Sequence, residues 1–239
     1  MRTIILFTLY VLITLLLIPV LLFCCLFKSS RLLLWVSKNA IRLGPKILGI
    51  RIEVTGVDVV EEDKSYIFMS NHLSFLDGPL LYLIIPQPIR VILKKEIFRI
   101  PIIGLGMKQV GFVPVDRKSI RGGKKSIDHA IRLMKEKGYS FLIFPEGTRS
   151  RTGKLQEFRR GGFFLALTSQ SAIVPISIQG TYKLMPKGSF FVKRGKIKVS
   201  FHQPVSVQGN HKDDLPVLLE EVRGVIRSGL AEEKKDRVA

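Results

Sequence analysis

Beyond Gly49 the chain alternates short β-branched runs with helical windows, and this pattern constrains the fold more than any other feature. Strands are predicted at residues 50–55, 66–69, 90–93, 111–115, 140–144, 173–179 and 196–202. Helices are predicted at residues 76–83, 103–108, 123–137, 161–169 and 215–230. Such alternation favours an α/β fold, with a mixed, mostly parallel sheet flanked by helices. No repeat or low-complexity linker interrupts it, so we expect one domain over residues 49–239.

The first 48 residues differ, and we expect them to form an apolar two-helix membrane element. Residues 3–27 include no charged side chain and would extend ~37 Å as a helix, longer than the ~30 Å hydrocarbon core of a bilayer. Pro19 could kink this helix. A cleaved signal peptide is the alternative, although the run is long for one and no small-residue cleavage site precedes Lys28.

Residues 29–43 continue with helical periodicity, and Gly44-Pro45 is expected to end this second helix. One face carries basic side chains, and the other is an apolar stripe of Leu33, Val36, Ala40 and Leu43. This pattern is typical of a helix in the membrane interface. Two alternatives stay open: a helix packed on the domain core, or a hairpin of both helices that enters one leaflet without spanning it.

Basic residues outnumber acidic ones by 38 to 19, which gives a net charge of +19. This excess indicates a polyanionic surface or substrate, such as anionic lipid, nucleic acid, phosphorylated metabolites or an acidic carrier protein. One basic residue precedes the apolar run, and five follow it within residues 28–46. If the run spans a membrane, the positive-inside rule therefore places the domain on the cytoplasmic face. Adjacent Cys24 and Cys25 indicate neither a disulfide framework nor a zinc site.

A candidate catalytic pair lies where the second predicted strand passes into a helix. Residues 70–77 read Ser-Asn-His-Leu-Ser-Phe-Leu-Asp. Five residues on a helix turn roughly 500°, which leaves two side chains about 140° apart. His72 must therefore lie in the turn before the helix if Asp77 is to reach it. The pair could then act as a base and the carboxylate that orients it; a turn histidine and a helix-start aspartate without catalytic roles are the alternative.

A candidate substrate-binding loop follows the predicted strand 140–144, at the strand end where ligands of α/β sheets collect. Gly147 permits a positive φ, and Arg149 offers a planar fork for two phosphate oxygens. Glu146 and Thr148 could bond a hydroxyl. A solvated β-turn is the alternative.

Two further strand ends carry weaker signals. Arg117, after strand 111–115, could supply a second guanidinium to a phosphate, or could form a surface pair with Asp116. The run 173–180 reads as a buried strand that ends at a glycine. No phosphate loop, nucleophile elbow or zinc-binding helix has its signature in the sequence, and no motif requires a metal.

Taken in order, the four stretches resemble the glycerolipid acyltransferase family, most closely 1-acylglycerol-3-phosphate O-acyltransferases. Residues 71–77 match the family's Asn-His-x-Ser-x-x-Asp motif, and residues 144–149 match Phe-Pro-Glu-Gly-Thr-Arg. Gly111 with Arg117 is similar to the second motif, and residues 174–180 are similar to the fourth. The resemblance covers residues 50–202. At 157–161, Glu-Phe-Arg-Arg-Gly replaces the expected Pro-Phe-Lys-Lys-Gly and keeps its two basic residues.

The resemblance implies transfer of a fatty acyl group from a thioester to the sn-2 hydroxyl of lysophosphatidate, which gives phosphatidate in phospholipid biosynthesis. His72 would be the base and Asp77 its orienting carboxylate. The glycerol phosphate would be held by Arg117, Glu146, Gly147, Thr148 and Arg149. No bound cofactor or metal is expected; the donor would be acyl-acyl carrier protein or acyl-coenzyme A. The expected partners are these thioesters, lysophosphatidate and the bilayer, with the catalytic domain on the cytoplasmic face of a membrane.

Two other functions stay open. The same chemistry could act on another lyso-lipid, such as lyso-ornithine lipid. Alternatively, the chain could be a membrane-anchored basic protein that binds nucleic acid or anionic lipid. The latter leaves residues 71–77 and 144–149 without a purpose, and the sequence lacks the interleaved aromatics of a nucleic-acid platform, so we expect no nucleic-acid partner.

Overall fold

The structure is a computed structural model and describes residues 2–27, 29–116 and 119–235. Its strands are β1 (Ile50–Thr55), β2 (Ile67–Ser70), β3 (Ile89–Lys94), β4 (Val113–Val115), β5 (Ser140–Ile143), β6 (Ile173–Gln179) and β7 (Gly195–Phe201). Its α-helices are α1 (Arg2–Leu26), α2 (Ser30–Leu48), α3 (Asp77–Ile84), α4 (Pro101–Gln109), α5 (Ile120–Lys137), α6 (Gly161–Ser169), α7 (Thr181–Leu184) and α8 (Leu215–Lys235). The strand and helix windows predicted beyond Gly49 are confirmed with small shifts of their bounds; the short α7 was not predicted.

All seven strands belong to one sheet, in the order β1-β7-β6-β2-β5-β3-β4. Neighbouring strands run parallel except β6 and β7, which pair antiparallel. The prediction of a mixed, mostly parallel sheet is therefore confirmed. The order also puts β2 between β5 and β6, so the ends of these three parallel strands meet at one edge of the sheet.

Helices cover both faces of the sheet because successive side chains of a strand point to opposite sides. Ile67 and Met69 of β2 lie in a hydrophobic cluster with α5, α6 and α8. Phe68, between them, lies in a second cluster with α3 and α7. The central strands are buried on both faces, as in other parallel sheets.

The helix α2 does not end at Gly44-Pro45 as predicted but continues to Leu48. Pro45 costs one backbone hydrogen bond, and Gly44 has no Cβ to clash with the proline ring. Leu48 is buried, which favours the extra turn, and Gly49 ends the helix with a φ of 68°.

The amphipathic α2 contacts the domain along one side only. Leu34 and Ile41 pack against the α3 cluster. Leu43, which belongs to the predicted apolar stripe, is 41 % exposed, and Trp35 is 66 % exposed. Part of the apolar surface of α2 is therefore left uncovered by the domain.

The helix α1 runs through Pro19 and packs on α2 and α4. Among the residues that the structure describes, no helix is long and apolar enough to cross a membrane. The membrane element is thus not confirmed, and the division at residues 48 and 49 stays a prediction.

Gly180 gives a stability test of the strand end that faces the site. Its φ is 90°, and an added Cβ would overlap the Lys196 carbonyl oxygen. Gly188 has a φ of 96° but open space around it. We expect Gly188→Ala to cost about 1–2 kcal/mol of unfolding free energy and Gly180→Ala roughly 2–5 kcal/mol, because only Gly180→Ala adds overlap to the φ strain. Denaturant unfolding of both variants measures this, and equal losses would contradict the assigned overlap.

Candidate active site

The predicted site residues that the structure describes meet at the shared edge of β2, β5 and β6. His72 follows β2, the loop 144–149 follows β5, and Gly180 follows β6. The Ser150 N–H donates to the His72 carbonyl oxygen at 2.8 Å, which joins the turn after β2 to the loop after β5. Strand order therefore builds one site from segments far apart in sequence.

His72 and Asp77 form a hydrogen-bonded pair, with His72 Nδ1 2.9 Å from Asp77 Oδ2. His72 lies in the turn before α3, and α3 begins at Asp77, the arrangement that the five-residue spacing requires. Because the carboxylate oxygen can only accept, we assign the Nδ1 proton to this contact, which leaves Nε2 with its lone pair. Asp77 is fully buried, whereas the His72 side chain is 20 % exposed, so the imidazole is the partner that a substrate can reach.

The Asp77 carboxylate is held by the backbone of its own turn. The Leu73 and Ser74 N–H groups each donate to Oδ2 at 2.7 Å. Hydrogen bonds to an ionised acceptor are stronger than neutral ones, so these contacts fix the turn and the carboxylate together.

Further contacts, which we did not predict from the sequence, hold the His72 turn. The Phe144 ring stacks on the imidazole with 4.0 Å between centroids and 17° between planes. The fully buried Asn71 amide donates to the Ile178 carbonyl at 2.9 Å and accepts from the Ile178 N–H at 2.8 Å. Both residues belong to the quoted motifs, but their partners are set by strand order, which sequence spacing does not give.

Glu146 is buried and accepts hydrogen bonds at both oxygens. Oε1 accepts from the His72 N–H at 2.6 Å, and Oε2 accepts from Gln156 N and Nε2 at 3.0 and 2.8 Å. Burial raises the pKa of the Glu146 carboxyl, while these hydrogen bonds oppose the rise. Glu146 thus orients the His72 backbone; its predicted contact with substrate stays a prediction. Gln156 lies ten residues downstream and gave no signal in the sequence.

The rest of the loop exposes a guanidinium. Gly147 has a φ of 71°, and Arg159 lies so near that an added Cβ would be 2.8 Å from its Nε. The Arg149 guanidinium lies 6.0 Å from the Phe75 ring centroid. Among the described residues no oxygen accepts a hydrogen bond from it, which leaves its donors available to an anion.

Lys187 is a second cation at this loop, and nothing near it in the sequence indicated its place. Its Nζ donates to Thr148 Oγ1 and to the Arg149 carbonyl oxygen, both at 3.0 Å. It reaches the loop from the segment after α7 because β6 leads that segment to the same sheet edge.

Arg117, the remaining predicted ligand, lies outside the described residues. The strand before it, β4, is separated from β5 by β3. Asp116 forms an ion pair with Lys95.

The fold and the site together define an α/β domain with a histidine–aspartate centre and a basic loop at the strand ends. A family model described as Acyltransferase matches residues 51–179, more than half of the chain. The chain belongs to this acyltransferase family.

Individual proteins resemble it over different lengths. It is 36 % identical to "1-acyl-sn-glycerol-3-phosphate acyltransferase LPAT1, chloroplastic" of Arabidopsis thaliana over 75 % of this chain and 49 % of that one. It is 32 % identical to "1-acyl-sn-glycerol-3-phosphate acyltransferase alpha" of Mus musculus, over 82 % of this chain and 67 % of the relative. The chain spans about half the length of the curated plant relatives that it matches.

A solved structure supports the fold over nearly the whole chain. The crystal structure of the 1-acyl-sn-glycerophosphate (LPA) acyltransferase PlsC from Thermotoga maritima superposes with a TM-score of 0.82. The two sequences are 25 % identical, and the match covers 98 % of this chain and 95 % of that one.

Glu146→Gln tests whether Glu146 holds the His72 turn. Both Glu146 oxygens face N–H donors, so an amide NH₂ in place of Oε1 would leave the His72 N–H without its acceptor, and in place of Oε2 it would leave the Gln156 backbone N–H without one. We expect the unfolding free energy to fall by about 1–3 kcal/mol. Thermal and denaturant unfolding measure the change, with Glu62→Gln at an exposed position as the matched control. Equal stability of the two variants would contradict the orienting role.

Proposed function

We propose that this chain transfers a fatty acyl group from a thioester donor to the sn-2 hydroxyl of lysophosphatidate, which gives phosphatidate. The observation that carries the proposal is the His72–Asp77 hydrogen bond of 2.9 Å at a sheet edge that also presents the guanidinium of Arg149, from which no oxygen of the described residues accepts a hydrogen bond. The Arabidopsis thaliana and Mus musculus relatives are named as acyltransferases of 1-acyl-sn-glycerol-3-phosphate, which supports the choice of acceptor.

His72 would act as a general base, and no covalent acyl-enzyme intermediate is needed. Nε2 takes the proton of the acceptor hydroxyl as its oxygen attacks the thioester carbonyl carbon. The tetrahedral intermediate then breaks its carbon–sulfur bond, and the imidazolium returns the proton to the leaving sulfur. Asp77 holds the productive tautomer and stabilises the imidazolium, as the aspartate of a serine protease triad does.

We assign the acceptor phosphate to the candidate substrate-binding loop, residues 144–149. Arg149 and Arg117 would bind the phosphate, and Gly147 and Thr148 would line the phosphate site. Glu146 would support the turn that carries His72. A planar guanidinium matches two phosphate oxygens, and the net charge of +19 favours both this acceptor and an acidic donor, acyl carrier protein or coenzyme A.

The N-terminal helices would hold the enzyme at the membrane where lysophosphatidate resides. The uncovered side of α2, with Trp35 66 % exposed and Leu43 41 % exposed, supports a position in the interface. The basic residues at 28–46 favour the cytoplasmic face. Residues 1–48 then form the membrane element and residues 49–239 the catalytic domain.

The first test is His72→Ala in a thioester-release assay with lysophosphatidate and each donor type. Losing the base should lower turnover roughly 10²–10⁴-fold. His129→Ala, on the exposed side of α5, is the matched control and should keep full activity. Normal turnover by folded His72→Ala would remove the mechanism.

The second test is Arg149→Ala, which should raise the KM for lysophosphatidate. The loss of a charged hydrogen bond, about 1.5–3 kcal/mol, corresponds to roughly 10–150-fold. The KM for the thioester should stay the same, and Arg151→Ala in the same loop serves as control. An unchanged KM for lysophosphatidate would contradict the role of Arg149, and faster turnover of another lyso-lipid in an acceptor panel would change the assigned acceptor.

A further inference from the structure

The segment 185–194, here called the aromatic loop, connects α7 to β7 and exposes two adjacent phenylalanines. Phe190 is 85 % exposed and Phe191 is 64 % exposed. Single exposed apolar residues are ordinary, but two large neighbouring rings form a patch of the kind that marks an interaction site. The proposed chemistry does not use either ring.

The aromatic loop is held in one conformation by its own hydrogen bonds. The Lys193 N–H donates to the Leu184 carbonyl at 2.9 Å and closes its base, and the Ser189 N–H donates to the Pro186 carbonyl at 3.0 Å. The Ser189 hydroxyl donates to the Phe191 carbonyl at 2.9 Å and accepts from the Phe191 N–H at 3.1 Å. A preformed loop loses little conformational entropy when it binds.

The aromatic loop also contacts the candidate active site directly. The Ser74 hydroxyl, in the turn between His72 and Asp77, donates to the Met185 carbonyl at 2.7 Å. At the other side Lys187 binds Thr148 and the Arg149 carbonyl. Whatever surface the two rings enter therefore lies beside the catalytic pair.

The aromatic loop packs on the same face of the sheet as helix α2. Leu184, just before the loop, belongs to the second hydrophobic cluster, and Val192 of the loop packs against that cluster, as do Leu34 and Ile41 of α2. Helix α8 belongs to the cluster on the opposite face. The aromatic loop and α2 therefore lie over the same face of the sheet.

The charge around the loop matches an anionic surface. Between Glu157 and Asp213 the sequence has nine basic residues and no acidic residue. Three of the basic residues lie within the aromatic loop: Lys187, Lys193 and Arg194. Aromatic rings flanked by lysine and arginine suit an anionic bilayer, which has a negative headgroup layer over an apolar interior.

We propose that the aromatic loop inserts Phe190 and Phe191 into the boundary between headgroups and acyl chains of an anionic bilayer and so holds the active site against the membrane. The proposal rests on the proposed function only in that a lipid acceptor gives this position a purpose. An acidic carrier protein would use the basic residues but would leave two rings without an apolar counterpart, so we assign the loop to lipid.

A tryptophan reporter tests the insertion without any measurement of activity. Trp35 is the only tryptophan of the chain, so Phe190→Trp in a Trp35→Phe background has a single emitter. The full chain is reconstituted in vesicles of phosphatidylglycerol and brominated phosphatidylcholine. We expect a blue-shifted emission, loss of most of its intensity to the bromine atoms, and protection from iodide.

The matched control is Val217→Trp in the same background, at a position on α8 that is 72 % exposed. Its emission should be quenched by iodide and not by brominated lipid. The proposal is overturned if Phe190→Trp behaves like this control, or if purified acyl carrier protein rather than lipid protects it.

A second measurement links insertion to catalysis. Phe190→Ser/Phe191→Ser should turn over long-chain lysophosphatidate in vesicles at least roughly tenfold more slowly, because removal of even one buried aromatic side chain corresponds to about that factor. Turnover of short-chain, monomeric lysophosphatidate should stay the same. Equal losses on both substrates would overturn the proposal. If lysophosphatidate is not the acceptor, no variant and not the wild type acylates it, yet the quenching still decides whether the loop inserts.

Discussion

The hydrogen bonds that converge on Asp77 Oδ2 are the constraint on which the site depends. A buried carboxylate is costly unless its charge is satisfied, and here the Leu73 and Ser74 N–H groups and the imidazole of His72 share one oxygen. This arrangement forces the chain into a tight turn before α3 and places the carboxylate at the helix N-terminus, where a negative charge is favoured. The same contacts that fold the turn therefore also orient the proposed base.

The sheet brings segments that are distant in sequence to the turn that carries His72. With β2 between β5 and β6, the turn is tied to one neighbour through Glu146 and Ser150 and to the other through Asn71. Because β7 runs antiparallel to β6, it begins at the sheet edge where β6 ends, so the segment between α7 and β7 passes the candidate active site. In the account proposed here, that position couples membrane contact to the acceptor site.

Sequence pattern was sufficient for the features that depend on near neighbours. The strand–helix alternation gave the α/β class, and the five-residue spacing put His72 in a turn and Asp77 at a helix start. The predicted end of α2 at Gly44-Pro45 is wrong because the burial of Leu48 outweighs the local free-energy cost of Pro45 in the helix. Three contacts could not be predicted, because they depend on strand order and on the loops that strand order brings together. They are the stacking of Phe144 on His72 and the hydrogen bonds from Gln156 to Glu146 and from Lys187 to Thr148.

The central claim is that Asp77 makes His72 an effective base by fixing its tautomer. The most direct measurement is acyl transfer by Asp77→Asn, compared with the wild type across pH, with the unfolding temperature as a check of the fold. We expect a loss of turnover of roughly 10⁴-fold, as for the aspartate of a serine protease triad, because the amide can present its NH₂ to Nδ1 and stabilise the wrong tautomer. Turnover by folded Asp77→Asn within a few-fold of the wild type would contradict it.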